Sequence, residues 1–176
     1  HYLKHSQAAI EEFDALRARN SEPSNSWGMG PFRDGLEEID MEGMSTEIFG
    51  EKARDFISRT HQSPFFLYLS FNAVHNFTHQ LPADYLEEHG LGDYGDWDPT
   101  EEPYIDWYRR SRRPNNPDGR AHYLGQLHYL DQEVGRILDH INEIGISENT
   151  LIIYIGDNGG STPIYADNTP LRGSKY

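Results

Sequence analysis

The sequence predicts an α/β fold, part of a mostly parallel sheet flanked by helices, and incomplete. Three observations carry this. Phe65-Phe-Leu-Tyr-Leu-Ser-Phe71 and Leu151-Ile-Ile-Tyr-Ile155 are short, nearly continuous apolar runs, the pattern of strands buried on both faces. Between them, residues 120–145 repeat apolar side chains at helical spacing. A strand, a helix and a second strand in that order is the grammar of a parallel sheet, whose crossovers are usually helices.

The elements follow in order. Ser6 can cap a helix over residues 6–19, with Ile10, Phe13 and Leu16 on one face. Residues 20–45 are polar and turn-rich, with Pro23, Gly28, Gly30, Pro31 and Gly35, and read as a surface excursion. Residues 46–60 predict a helix whose stripe is Phe49, Ala53, Phe56 and Ile57. Pro64 stands at the start of the first strand, and Pro82 opens a short helical turn through Glu88 that Gly90 stops.

Residues 91–119 form a long insertion, acidic and aromatic at first and then basic from Arg109 to Arg113. Loops beyond about 12–15 residues in a compact domain are usually functional or disordered. An exposed, variable insertion and a substrate lid both fit this stretch. As a lid it would offer Trp97, Tyr104 and Trp107 for stacking on a sugar. The 120–145 helix carries Tyr123, Leu127, Leu130, Val134, Ile137, Ile141 and Ile144 in a stripe suited to packing on a sheet. Gly145 ends it, and Ser147-Glu-Asn-Thr150 leads into the second strand.

The chain has 176 residues and a formal charge of −14. That balance argues against nucleic acid and anionic membranes as partners, and any anion site must be locally basic. With no cysteine, the chain has no disulfide, no thiolate metal ligand and no thiol nucleophile of its own. No segment approaches the roughly 18 apolar residues of a membrane span. The first residues show neither an initiator Met nor a signal-peptide pattern, and the last form a glycine-rich loop. Both ends read as cut, so a fragment is expected.

The second strand runs into Gly156-Asp157-Asn158-Gly159. Ligands of open α/β sheets bind beyond the carboxyl ends of the strands, and a carboxylate beside a carboxamide offers the oxygens that hard cations prefer. Asp-Asn-Gly is also an ordinary turn sequence. His75 follows the first strand and could donate to an anionic oxygen or move a proton, although a lone histidine there is as readily structural. Lys175, in Pro170-Leu-Arg-Gly-Ser-Lys175, is a cation on a glycine-flexed loop and suits an oxyanion. Asp167 and Asn168 before it fit turn positions. Parallel strands would bring the ends at His75 and Asp157 to one edge.

Four segments together resemble the sulfatase family, the formylglycine-dependent branch of the alkaline-phosphatase superfamily. They are Ser63-Pro-Phe-Phe-Leu-Tyr-Leu-Ser-Phe-Asn-Ala-Val-His75, Tyr129-Leu-Asp-Gln-Glu-Val-Gly-Arg-Ile-Leu138, Glu148-Asn-Thr-Leu-Ile-Ile-Tyr-Ile-Gly-Asp-Asn-Gly-Gly160 and Pro170-Leu-Arg-Gly-Ser-Lys175. They stand in the family's order, and the match is clearest over residues 42–176. Val74 departs from the family's usual proline, Asn76-Phe77 from Thr-Pro, and Gly156 from serine. The acting side chains are kept, while the local loop shape is specific to this chain.

The resemblance implies the central part of a sulfatase catalytic domain over residues 1–176, with an alkaline-phosphatase-like fold. It implies a sulfuric ester hydrolase that cleaves a sulfate ester with calcium, on a sulfated carbohydrate or a small molecule. Asp157 and Asn158 would be calcium ligands. His75 and Lys175 would be catalytic and would bind the sulfate. The family's Cys/Ser-x-Pro/Ala-x-Arg motif, source of the formylglycine nucleophile, does not occur here, so the nucleophile is expected outside this chain and the chain alone is expected to be inactive. Calcium takes about six to eight oxygens, so further ligands must come from elsewhere. A periplasmic, secreted or otherwise extracytoplasmic location is also implied. A phosphate or phosphonate ester hydrolase of the same superfamily, and a non-catalytic metal-binding module, are the competing readings.

Overall fold

The structure, a computed structural model, describes residues 2–3, 32–39, 41, 43–75, 77–95, 98, 100–110 and 112–175. The helix expected over residues 6–19 and the stacking candidate Trp97 lie outside them. Four short strands come first: β1 (Tyr2–Leu3), β2 (Phe32–Asp34), β3 (Glu37–Ile39) and β4 (Gly43–Met44). β1 pairs antiparallel with β4, Tyr2 opposite Met44, and β2 pairs antiparallel with β3 as a hairpin, Phe32 opposite Ile39. Four helices follow: α1 (Ser45–Thr60), α2 (Ala83–Glu88), α3 (Tyr104–Arg109) and α4 (Gly119–Glu143).

α1 buries Ala53 and Ile57 of its predicted stripe and lies against α4. Their crossing is close because Gly50 has no side chain. A Cβ there would sit 2.0 Å from a carboxylate oxygen of Glu133. Glu133 is only 1% exposed, accepts from Arg54 at 2.7 Å and pairs also with Arg136. A buried carboxylate is tolerable only when paired in this way. Further along, Gln126 donates to the carbonyl of Gln80 at 2.7 Å, and Met44, Leu81 and Leu86 form a small apolar cluster beside Tyr129.

The predicted stripe of α4 is therefore shared between two faces. Leu130 and Ile141 are buried alongside the polar His122, Gln126 and Glu133, whereas Leu127 is exposed. Tyr123 looks toward the 151–155 segment, near enough to Tyr154 for the two phenols to interact electrostatically. The long stretch 91–119 is no bare loop, since it carries α3. His122 of α4 donates to the carbonyl of Gly92 at 2.9 Å, Tyr94 donates to Asn116 at 3.2 Å, and Trp107 donates to the carbonyl of Gly95 at 3.2 Å.

Neither predicted core strand pairs in a sheet among the described residues. In 65–71 the burial alternates: Phe65, Leu67, Leu69 and Phe71 are half-buried, while Phe66 and Tyr68 are 85% and 79% exposed. That period of two is the pleat of a strand with one covered face, and Phe65 meets Phe56 of α1 edge-to-face at 5.8 Å. In 151–155 every residue is exposed. Both segments keep the apolar character of buried strands without pairing neighbours among the described residues.

Candidate active site at the ends of the two strand segments

The structure brings together three of the residues singled out from the sequence. Lys175 donates from Nζ to Nε2 of His75 at 2.8 Å, across one hundred residues of chain. Nε2 accepts, so the neutral ring carries its proton on Nδ1. Loss of solvent around the ring lowers the His75 pKa first, Lys175 lowers it further, and Asp157 opposes both. Asp157 is thus close enough to feel the imidazole, and at neutral pH the ring rests uncharged beside an ammonium.

Asp157 and Asn158 sit at the exposed end of the 151–155 segment, and the amide of Asn158 donates to the Asp157 carboxylate at 2.8 Å. One carboxylate and one carboxamide oxygen, adjacent and open, fit a hard cation as part of its ligand set. They do not complete one. Among the described residues no group of three or more His, Asp or Glu could hold a metal ion.

The loop that follows these two residues is held by Asn168, which the sequence marked only as a turn residue. Its carboxamide accepts from Gly160 N–H at 2.8 Å and donates to the Gly160 carbonyl at 2.8 Å. The same carbonyl accepts from the backbone N–H of Lys175 at 3.3 Å. The approach is tight, for a Cβ on Gly160 would meet Ala166 at 2.6 Å. Asp167 ties the adjoining turn, its Oδ1 accepting from the N–H and hydroxyl of Thr169 at 3.0 and 2.9 Å. Asn168 could have been suspected from Asp167-Asn-Thr-Pro170, which is turn chemistry. Its true partner, eight residues upstream, has no local signature.

His79 is a second histidine that the sequence did not distinguish. It is 2% exposed and packs edge-on to Tyr94 and Trp107 at 5.7 and 5.1 Å. Burial first, then His122 and Arg110, depress its pKa to about 3. It belongs to the packing of the 91–119 stretch, four residues along the chain from His75.

The arrangement can therefore bind an anionic oxygen between Lys175 and His75 and place it within the field of a cation held at Asp157 and Asn158. Comparison with known proteins identifies the family. A family model described as Sulfatase matches residues 3–176. The chain is 31% identical over 131 residues to N-sulphoglucosamine sulphohydrolase of Homo sapiens, covering 66% of this chain and 26% of that protein. It is 29% identical over 118 residues to N-acetylgalactosamine-6-sulfatase of Mus musculus, covering 66% of this chain and 17% of that protein. The chain thus spans about a quarter or less of the length of these relatives. In fold it resembles a crystal structure described as Ps i-CgsB in complex with k-i-k-neocarrahexaose. The TM-score is 0.64 at 22% identity, covering 96% of this chain and 32% of that one.

Proposed function

Since the chain belongs to the sulfatase family, shown by the match across residues 3–176, we propose that the whole protein is a sulfuric ester hydrolase. Its sulfate site would include His75 and Lys175. The observation that carries this reading is the 2.8 Å contact between those two side chains at the end of one strand segment, with Asp157 at the end of the other.

In this reading Lys175 neutralises charge on the sulfate oxygens, a stabilisation that is strongest where water is scarce. His75 rests neutral because desolvation and Lys175 disfavour its protonated form. A sulfate ester is an anion. Seated between the two groups, it takes over the ammonium of Lys175 and, like Asp157, favours the imidazolium. His75 then holds a proton when substrate is bound and can deliver it to the leaving alcohol oxygen. Asp157 and Asn158 would contribute oxygens to a calcium ion, which would supply further positive charge, and the attacking group would be a formylglycine outside this chain. The names of the relatives support a sulfated carbohydrate as substrate, and an extracytoplasmic location accompanies that reading. Among the described residues no helix is long and apolar enough to cross a membrane.

Turnover of 4-nitrophenyl sulfate by the full-length protein tests the proposal. Lys175→Ala is expected to lower kcat/KM by about 10²–10³-fold, the scale for losing one donor to a developing anion. Wild-type turnover in that variant would remove Lys175 from the site. Hydrolysis of 4-nitrophenyl phosphate in preference to the sulfate would overturn the substrate assignment.

A further inference from the structure

The arginine run at 109–113 divides in the structure. Arg109 pairs with Asp106 at 3.3 Å, Arg110 with Glu102 at 2.9 Å, and Arg112 lies over the Tyr108 ring. Arg113 leaves this group. Its backbone N–H donates to the carbonyl of Pro163 at 2.9 Å, and its guanidinium lies 4.7 Å from the centre of the Tyr165 ring. Arg120, from the first turn of α4, reaches the same residue and donates to the Tyr165 carbonyl at 2.9 Å. Both arginines are exposed, and among the described residues neither forms an ion pair with a carboxylate.

Tyr165 is fixed with unusual thoroughness. Its φ of 76° places a bulky residue in left-handed space, where side chains other than glycine are strained and the strain often serves a site. Its hydroxyl donates to the Asn116 carbonyl, and its ring fills the space where a Cβ on Gly119 would stand, 2.0 Å away. The residue is a rigid platform for two cations. A guanidinium stacked by its face keeps its edge donors for an oxyanion, and Arg120 has four N–H donors beyond the one it gives to Tyr165.

We propose that Arg113 and Arg120, presented on Tyr165, form a second anion subsite that takes a sulfate or carboxylate on a neighbouring residue of a polyanionic saccharide. The proposal rests on the sulfatase reading and deepens it. The subsite and the pocket share one loop: three residues after Tyr165, Asn168 clamps Gly160, which lies three residues after Asp157. Each of those spans is at most roughly 11 Å of chain, a reach an oligosaccharide can follow. A chain of net charge −14 repels a polyanion at long range, so extended substrate needs local cations besides Lys175. Asp167 is the acidic neighbour. Its carboxyl is held below the usual range by Thr169, and less strongly by Arg120 and Arg113.

The test uses the full-length protein and a fluorescently labelled dextran sulfate oligosaccharide, with binding read by anisotropy. Arg113→Gln with Arg120→Gln is expected to weaken binding about tenfold, the combined effect of two exposed charge contacts. Its kcat/KM for 4-nitrophenyl sulfate is expected to fall less than about threefold, because that substrate ends at the pocket. Arg113→Lys with Arg120→Lys is expected to recover only part of the affinity, because lysine keeps the charge and loses the fork of edge donors. Unchanged oligosaccharide affinity in the glutamine variant, equal losses on both ligands, or lysine variants as weak as the glutamine ones would each overturn the subsite. A wild-type protein that binds the oligosaccharide through these arginines yet releases no sulfate would sink the sulfatase reading and leave the subsite standing.

Discussion

The helical side of this chain and its strand-end side are built on opposite terms. Where α1 meets α4, burial is complete enough to enclose a carboxylate: Glu133 is 1% exposed and is held by two arginines. Where 151–155 runs to Asp157, five consecutive apolar or aromatic residues face solvent, Leu151 at 86% and Ile155 at 76%. The proposed site lies on the second side. His75, Asp157 and Lys175 sit at the margin of an exposed apolar surface, in a family whose relatives are several times longer. Exposed apolar patches of this kind mark contact surfaces. The difference teaches that the chain carries its own packing on one side and, on the other, reactive groups that await neighbours.

The closed side can be challenged through His79. Its pKa is depressed from the ordinary value near 6.5 to about 3, by burial first. Neither ring nitrogen has a hydrogen-bond partner among the described residues. The unfolded chain takes up a proton as pH falls below about 6.5, while native His79 does not. Its contribution to stability is therefore complete above that pH and is lost as pH falls toward 3, at about 1.4 kcal/mol per pH unit. Between pH 6.5 and 4.5 the full-length wild type is expected to lose roughly 2–3 kcal/mol more than His79→Phe in urea unfolding. Parallel pH profiles for the two proteins would show that the insertion is open to water.

The helix crossing gives the next largest effect. A methyl group at position 50 meets Glu133, and Glu133 cannot swing away without giving up Arg54 and Arg136. Overpacking of this kind costs about 1–3 kcal/mol, against a gain of about 1 kcal/mol from replacing a helical glycine. Gly50→Ala is expected to lower stability by about 1–2 kcal/mol, and to cost less when it is introduced into a Glu133→Ala background. A stabilised single variant would mean the crossing is looser than its geometry.

These two sites also show where the sequence was legible. The helices at 45–60 and 119–143 follow from their apolar spacing, and His75, Asp157 and Lys175, which the structure places near one another, stand out at strand ends and in a glycine loop. All of these are local signals. Glu133, His122 and Gln126 were illegible as buried residues because polar side chains enter a core only by long-range pairing. Arg54 is 79 residues from Glu133, and Gln80 is 46 from Gln126. The Asn168 clamp and the Tyr165 platform depend on contacts of the same kind. α3 was hidden by its length, since six residues carry less than two turns of periodicity. Pairing of the two apolar runs is a property of a sheet, and no sheet forms from two strands that lack neighbours.

Ile153 sets the open side against its surroundings. It is 73% exposed in this chain, so Ile153→Ser is expected to change the unfolding free energy of the 176-residue chain by less than about 0.5 kcal/mol, as at any unburied position. In the full-length protein a strand neighbour would cover it, and removing the side chain should then cost about 1.5 kcal/mol or more of lost apolar burial. The comparison of the two urea unfolding curves carries the information, because the substitution is the same and only the covering differs. Equal small effects in both would mean that the 151–155 surface stays open in the whole protein. The pocket at its end would then face water, and Lys175 would act in a medium where its charge counts for far less.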